Sequence, residues 1–149
     1  MKKHLITLMA VVFFAALTVT SVHAQGLTMS YTIPFDFDVG GKTLPAGEYY
    51  LQRSMDNSRV VTQICNRDKT LRIYLPQTHP VQDLEVQLDS KSKLVFNRYG
   101  DQFFLSQVWV LERRIGEELP KNAKERHLQR EMASAGRKPA SVAIAAKSN

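Results

Sequence analysis

From Met29 onward the apolar residues occupy every second position, Met29, Tyr31, Ile33, Phe35, Phe37 and Val39. Thr28, Ser30, Thr32, Pro34, Asp36 and Asp38 take the places between them. Successive side chains of a strand point to opposite faces, so the pattern demands a strand with one side in a core and the other in water. Pro34 gives a sheet ladder no donor and marks an edge or a bulge within it. Gly40-Gly41 ends the run, and Pro45-Ala46-Gly47 makes a second turn, after which residues 48–53 are expected to run back.

Short strands with turn residues between them follow at a regular beat: residues 59–66, 71–75 and 84–88. Alternation returns in Leu71, Ile73 and Leu75 and in Leu84, Val86 and Leu88. Residues 93–111 read as a hairpin about Gly100-Asp101. With that loop, Phe96 faces Leu105 and Leu94 faces Gln107, on the side that carries Phe103 and Trp109, while Val95, Phe104, Val108 and Val110 take the other side. Regular short strands of this kind predict an all-β, mostly antiparallel sandwich or flattened barrel of about seven or eight strands. One helix is expected over 123–135, started by Pro120 and Asn122 and stopped by Gly136 and Pro139. Its apolar stripe is thin, Ala123, His127, Leu128, Met132 and Ala135. Residues 141–146 suit a last strand or a frayed tail.

Ahead of this domain, Lys2 and Lys3 precede a nearly continuous apolar run over 5–19, and Val22-His23-Ala24 offers small residues at a cut. That is the layout of a secretory signal peptide cleaved after Ala24. A retained anchor would need about 20 apolar residues to span a bilayer, and Thr18, Thr20 and Ser21 interrupt the end of this run. The organisation expected is a signal peptide over 1–24, a β-domain over 25–116 and a basic helical segment over 117–149, packed on the domain or extending from it.

The 149 residues are 44% hydrophobic, which excludes a disordered chain, and a single Cys excludes a disulfide-stapled scaffold. Cys65, in the run Val60-Val61-Thr62-Gln63-Ile64-Cys65, reads as a buried small apolar residue. Loss of Lys2 and Lys3 lowers the net charge from +6 to +4; residues 25–112 carry −1 and residues 113–149 carry +5. Outside the cytoplasm, in the periplasm or beyond the cell, such a basic segment faces phospholipid, acidic glycan or wall polymer, with Arg126, Arg130, Arg137 and Lys138 as candidate polyanion contacts; nucleic acid is not an expected partner.

Chemistry-bearing constellations are sparse, and no catalytic residue, metal ligand or cofactor is assigned. Asp36 and Asp38, two apart on a strand, project from one wet face as a weak cation site or acid pair, without the further oxygen ligands that calcium requires. His79 and His127 stand 48 positions apart with no H-E-x-x-H spacing. Gly40-Gly41-Lys42-Thr43 has only the tail of a phosphate loop and reads as a turn. Aromatic residues at strand spacing are mostly core, but Tyr50 and Phe104 are candidate exposed aromatics for stacking on a sugar, since Tyr49 and Phe103 take the inward side.

The strings IPFDFDVGGKTLPAGEY (33–49) and KLVFNRYGD (93–101), with Phe104-Leu105, resemble a family of small exported bacterial β-rich proteins, over about residues 28–131. The resemblance implies export and a β-rich domain and carries no activity with it. The function expected is an exported, non-enzymatic binding or structural protein of the envelope or secretome, meeting an anionic surface, a glycan or a protein. The alternatives are a carrier of small apolar ligands within a barrel and a hydrolase of envelope or extracellular polymers. Cleavage after Ala24 predicts that protein recovered from an exporting host begins at Gln25; an N-terminus at Met1 on intact-mass measurement would overturn it.

Overall fold

The computed structural model of the chain describes residues 27–56, 59–76, 78–82, 91–110 and 115–147. Among them eleven strands build two sheets that do not close into a barrel, with one helix near the C-terminus. In chain order they are β1 (Leu27–Ile33), β2 (Phe37–Val39), β3 (Lys42–Leu44), β4 (Gly47–Asp56), β5 (Arg59–Asn66), β6 (Arg72–Tyr74), β7 (His79–Gln82), β8 (Lys93–Tyr99), β9 (Gln102–Trp109), β10 (Ile115–Glu118), α1 (Ala123–Ser134) and β11 (Ala140–Ala145). The first sheet runs β1-β4-β5-β6 and the second β11-β8-β9-β10-β7. Strand β2 adds in parallel to the start of β9, with Phe37 opposite Phe103, and β3 pairs with β2. The all-β sandwich with one C-terminal helix read from the sequence is therefore the fold, with additional short strands at β2, β3, β7 and β10. The strand expected over 84–88 lies outside the described residues.

The single strand expected from Met29 to Val39 is two. The chain leaves the first sheet at Pro34 and enters the second at Phe37, because proline has no N–H to continue the ladder. The alternation survives the break: Tyr31 and Ile33 on one sheet, and Phe37 and Val39 on the other, are all at most 1% exposed. At Pro45 the chain crosses back. Asp36 Oδ1 accepts a hydrogen bond from the Ala46 amide at 2.8 Å, and Tyr49 Oη donates to the Pro45 carbonyl at 2.7 Å, so the two crossings are tied to each other and to β4. Between them the β2–β3 hairpin turns on Gly40 and Gly41 at φ +60° and +83°, a region open to glycine without strain.

The β8–β9 hairpin pairs Tyr99 with Gln102 and Phe96 with Leu105, as expected, but Leu94 meets Val108 and not Gln107. A bulge between Val95 and Phe96 places one extra residue on β9. Side chains alternate along a strand, so that residue exchanges the two faces beyond it. Val108 and Val110 consequently join Leu105 in the core, while Trp109 joins Phe104 on the outer side.

The interior holds Tyr31, Phe37, Leu51, Ile64, Leu94 and Phe96, with edge-to-face contacts of Phe37 on Tyr49 and Phe96 at 5.1 and 5.4 Å. Each such pair contributes about 0.5–1.5 kcal/mol beyond its burial. Polar ties join the sheets at both margins. Arg53 on β4 pairs with Glu117 on β10, both largely buried, and Thr78 Oγ1 donates to the same carboxylate. On the opposite margin β11 completes the second sheet beside β8. It then hands the chain to the first, where the Lys147 amide donates to the Ser30 carbonyl at 2.9 Å. The segment expected as a strand or tail is thus a strand of the larger sheet.

Trp109 is 6% exposed and packs over Gly116 of β10, where a Cβ would stand 2.5 Å from its Cε2. Lys93 Nζ lies 5.4 Å from the same ring. Gly116→Ala is expected to cost about 1–3 kcal/mol by overpacking, and the emission of Trp109, expected to be blue-shifted and iodide-resistant in the unaltered protein, is expected to move to the red. Unchanged chemical denaturation and emission would contradict this packing.

Candidate functional site

The helix is started by Asn122, whose Oδ1 accepts the Glu125 amide at 2.8 Å. Its apolar stripe does not dock it: Ala123, His127 and Ala135 are exposed and Leu128 and Met132 half-buried. The side chain that enters the body is Glu125, 3% exposed. Its Oε1 accepts from Asn97 Nδ2 at 2.8 Å and from Tyr99 Oη at 3.3 Å, both on β8. Asn122 Nδ2 in turn donates to Asp38 Oδ1 at 2.7 Å, and the Gly41 amide donates to the same oxygen at 3.0 Å. A negative side chain in the first turn also complements the helix dipole. The helix therefore stands on a polar foot, and Lys124 spreads over Phe104 beside it, 5.5 Å from the ring.

This foot divides the acid pair. Asp36 and Asp38 do not share a wet face: Asp36 is exposed at the crossing, whereas Asp38 is 5% exposed and committed to Asn122 and Gly41. The reason is the break at Pro34, which sends Asp38 into the second sheet beneath the start of the helix. Among the described residues no three histidine, cysteine or carboxylate side chains gather as a metal site. His79 is exposed at the start of β7, and His127, exposed on α1, faces Glu131 at 3.8 Å. Cys65 is fully buried, as read from its strand.

The candidate aromatics separate as well. Phe104 is 1% exposed, not a surface platform, because Lys124 at the foot of the helix covers it on the outer side against Tyr99, 5.6 Å between centroids. Tyr50 is half-buried on the outer face of the first sheet. Tyr74, absent from the sequence candidates, is the large aromatic that stands out, 61% exposed on β6. Its signal was present, since Leu71, Ile73 and Leu75 turn inward and leave Tyr74 on the other face. Glu125 carried a weaker one, three residues beyond a capping Asn.

The candidate cations are all exposed. Arg126, Arg130, Arg137 and Lys138 take part in none of the ion pairs among the described residues; Arg126 Nη1 donates to the Lys121 carbonyl. Lys147, by contrast, is paired with Glu48, which also receives Arg67; the hydrogen bond and charge of Lys147 hold that carboxyl below its ordinary range. Among the described residues no helix is long and apolar enough to cross a membrane. No family model, curated protein or solved structure matches the chain.

Burial, then the charge and hydrogen bond of Glu125, push the Tyr99 phenol up to about 12. A raised folded pKa gives stability that is complete below the ordinary value near 10 and lost as pH rises towards 12. Glu125→Gln removes the charge, and near-ultraviolet titration is expected to show a phenol ionising at lower pH. Glu125→Ala leaves Asn97 and Tyr99 without their acceptor and is expected to cost about 1–3 kcal/mol, with loss of helical ellipticity. An unchanged titration in the first variant and an unchanged melt in the second would refute the foot.

Proposed function

We propose that the protein is an exported, non-enzymatic binding protein of the cell envelope or secretome, and that it meets an anionic surface through the basic side of α1 and the turn that follows. The observation that carries this reading is the set Arg126, Arg130, Arg137 and Lys138: exposed, without ion-pair partners among the described residues, and carried on an arm anchored at its first turn. Export is supported by the leader-like sequence over 1–24, and it makes phospholipid headgroups and acidic wall or glycan polymers the polyanions within reach. The interior filled by Tyr31, Phe37, Phe96 and their neighbours supports a binder over a carrier with a ligand inside a barrel.

Each cation brought to an anionic surface contributes about 1 kcal/mol, so four together are worth roughly two to three orders of magnitude in affinity at low salt. Deletion of the segment is not the test, because β11 is a strand of the second sheet and Glu125 is part of the body. Changing all four residues to Gln leaves both in place. The expected result is salt-sensitive sedimentation with phosphatidylglycerol vesicles or with an acidic wall polymer by the unaltered protein, lost in the fourfold variant while the melting temperature holds. Equal binding by the two proteins would sink the proposal.

A further inference from the structure

The two sheets present different outer faces. The second is occupied in part by the foot of α1, whereas three strands of the first present a face open to solvent. Register places Tyr50, Cys65 and Arg72 in one row across β4, β5 and β6, and Gln52, Gln63 and Tyr74 in the next. Residues directly opposite in antiparallel strands share a face, so these six side chains form one array, while Leu51, Ile64 and Ile73 between them turn to the core. Arg72 and Tyr74 are exposed, Tyr50, Gln52 and Gln63 are half-buried, and Cys65 is fully buried among them, so the other five form the accessible surface.

The chemistry of this array is specific. Tyr50 and Tyr74 stand at diagonal corners, two residues along and two strands across, about 12 Å apart by strand geometry. Each phenol offers an apolar ring with a polar tip. Between them Gln63 Nε2 donates to Gln52 Oε1 at 2.9 Å, which holds the amides in place, and Gln63 Oε1 is enclosed without a donor. A buried acceptor left unpaired is costly and gains when a donor arrives. Arg72, the one charge in the array, adds a planar set of donors.

A sugar chain carries the matching groups: ring faces rich in C–H that stack on aromatic rings, rimmed by hydroxyls that donate and accept. Apart from Arg72 the array is uncharged, which matches a neutral chain. We infer that the outer face of β4, β5 and β6 is a binding platform for a neutral polysaccharide, with Tyr50 and Tyr74 as the stacking residues. It lies on the opposite sheet from the basic arm and does not depend on it.

The test is depletion of the protein, purified after expression of the full chain, by microcrystalline cellulose and by chitin at 0.5 M salt, where the attraction of exposed cations is screened. The expected result is retention on at least one of the two, reduced fivefold or more by Tyr74→Ala, restored by Tyr74→Trp and unchanged by the fourfold Arg126, Arg130, Arg137 and Lys138 to Gln variant. Tyr74 is largely exposed, so the Ala variant should keep the native melt and Trp109 emission. Tyr50→Ala with the same loss provides a second check from the other corner. Failure of both polysaccharides to retain the protein would overturn the inference, as would retention that survives loss of both tyrosines. Retention lost only in the fourfold variant would assign binding to the arm and likewise overturn it.

Discussion

The double crossing of the chain between the sheets, out at Pro34 and back at Pro45, is the constraint on which the other arrangements rest. It transfers β2 and β3 to the second sheet while keeping Phe37 and Val39 in the same core as Tyr31 and Ile33. The Asp36 bond to the Ala46 amide ties the two crossings, and the Tyr49 bond to Pro45 ties them to β4. Once β2 lies beside β9, its outward residue Asp38 is placed under the chain that leads into the helix. The position of α1 thus follows from a proline more than eighty residues earlier.

That helix is attached in an unusual manner for its size. Amphipathic helices ordinarily dock by an apolar stripe. Here the buried residue is a carboxylate, held by Asn97 and Tyr99 and accompanied by the Asn122 cap that reaches Asp38. Hydrogen bonds are directional and a buried unpaired carboxylate is costly, so such a foot sets position and orientation strictly while contributing modest net stability. It leaves the remainder of the helix free to present Arg126 and Arg130 to solvent. The turn over 135–139 adds Arg137 and Lys138 before the chain returns to the sheet as β11.

The molecule therefore has two chemically distinct exteriors. One sheet carries a cationic arm, and the other an array of phenols and amides with the single charge of Arg72. Between them the interior is packed with large side chains, and the Arg53–Glu117 pair and the Lys147–Ser30 bond fasten the margins.

Much of this was legible in residue order. Alternation from Met29 to Val39, the paired glycines at 40–41, the boundaries of β5 and the body of α1 follow from period and turn chemistry acting within a few residues. The location of the positive charge in residues 113–149 and the burial of Cys65 were equally local. What residue order left open depends on pairing across long separations. One extra residue in β9 exchanges the faces beyond it, so Val108 joined the core and Trp109 turned outward; a hairpin read from its loop outward has no means to register a bulge, nor to show that Tyr99 and the foot of α1 cover Phe104. The separation of Asp36 from Asp38 came from a strand changing sheets. Glu125 became an anchor because Asn97 and Tyr99, more than two dozen positions away, meet it. Local periodicity dictates which elements form and which side of each is apolar; which neighbour each side meets is settled by close packing of the whole.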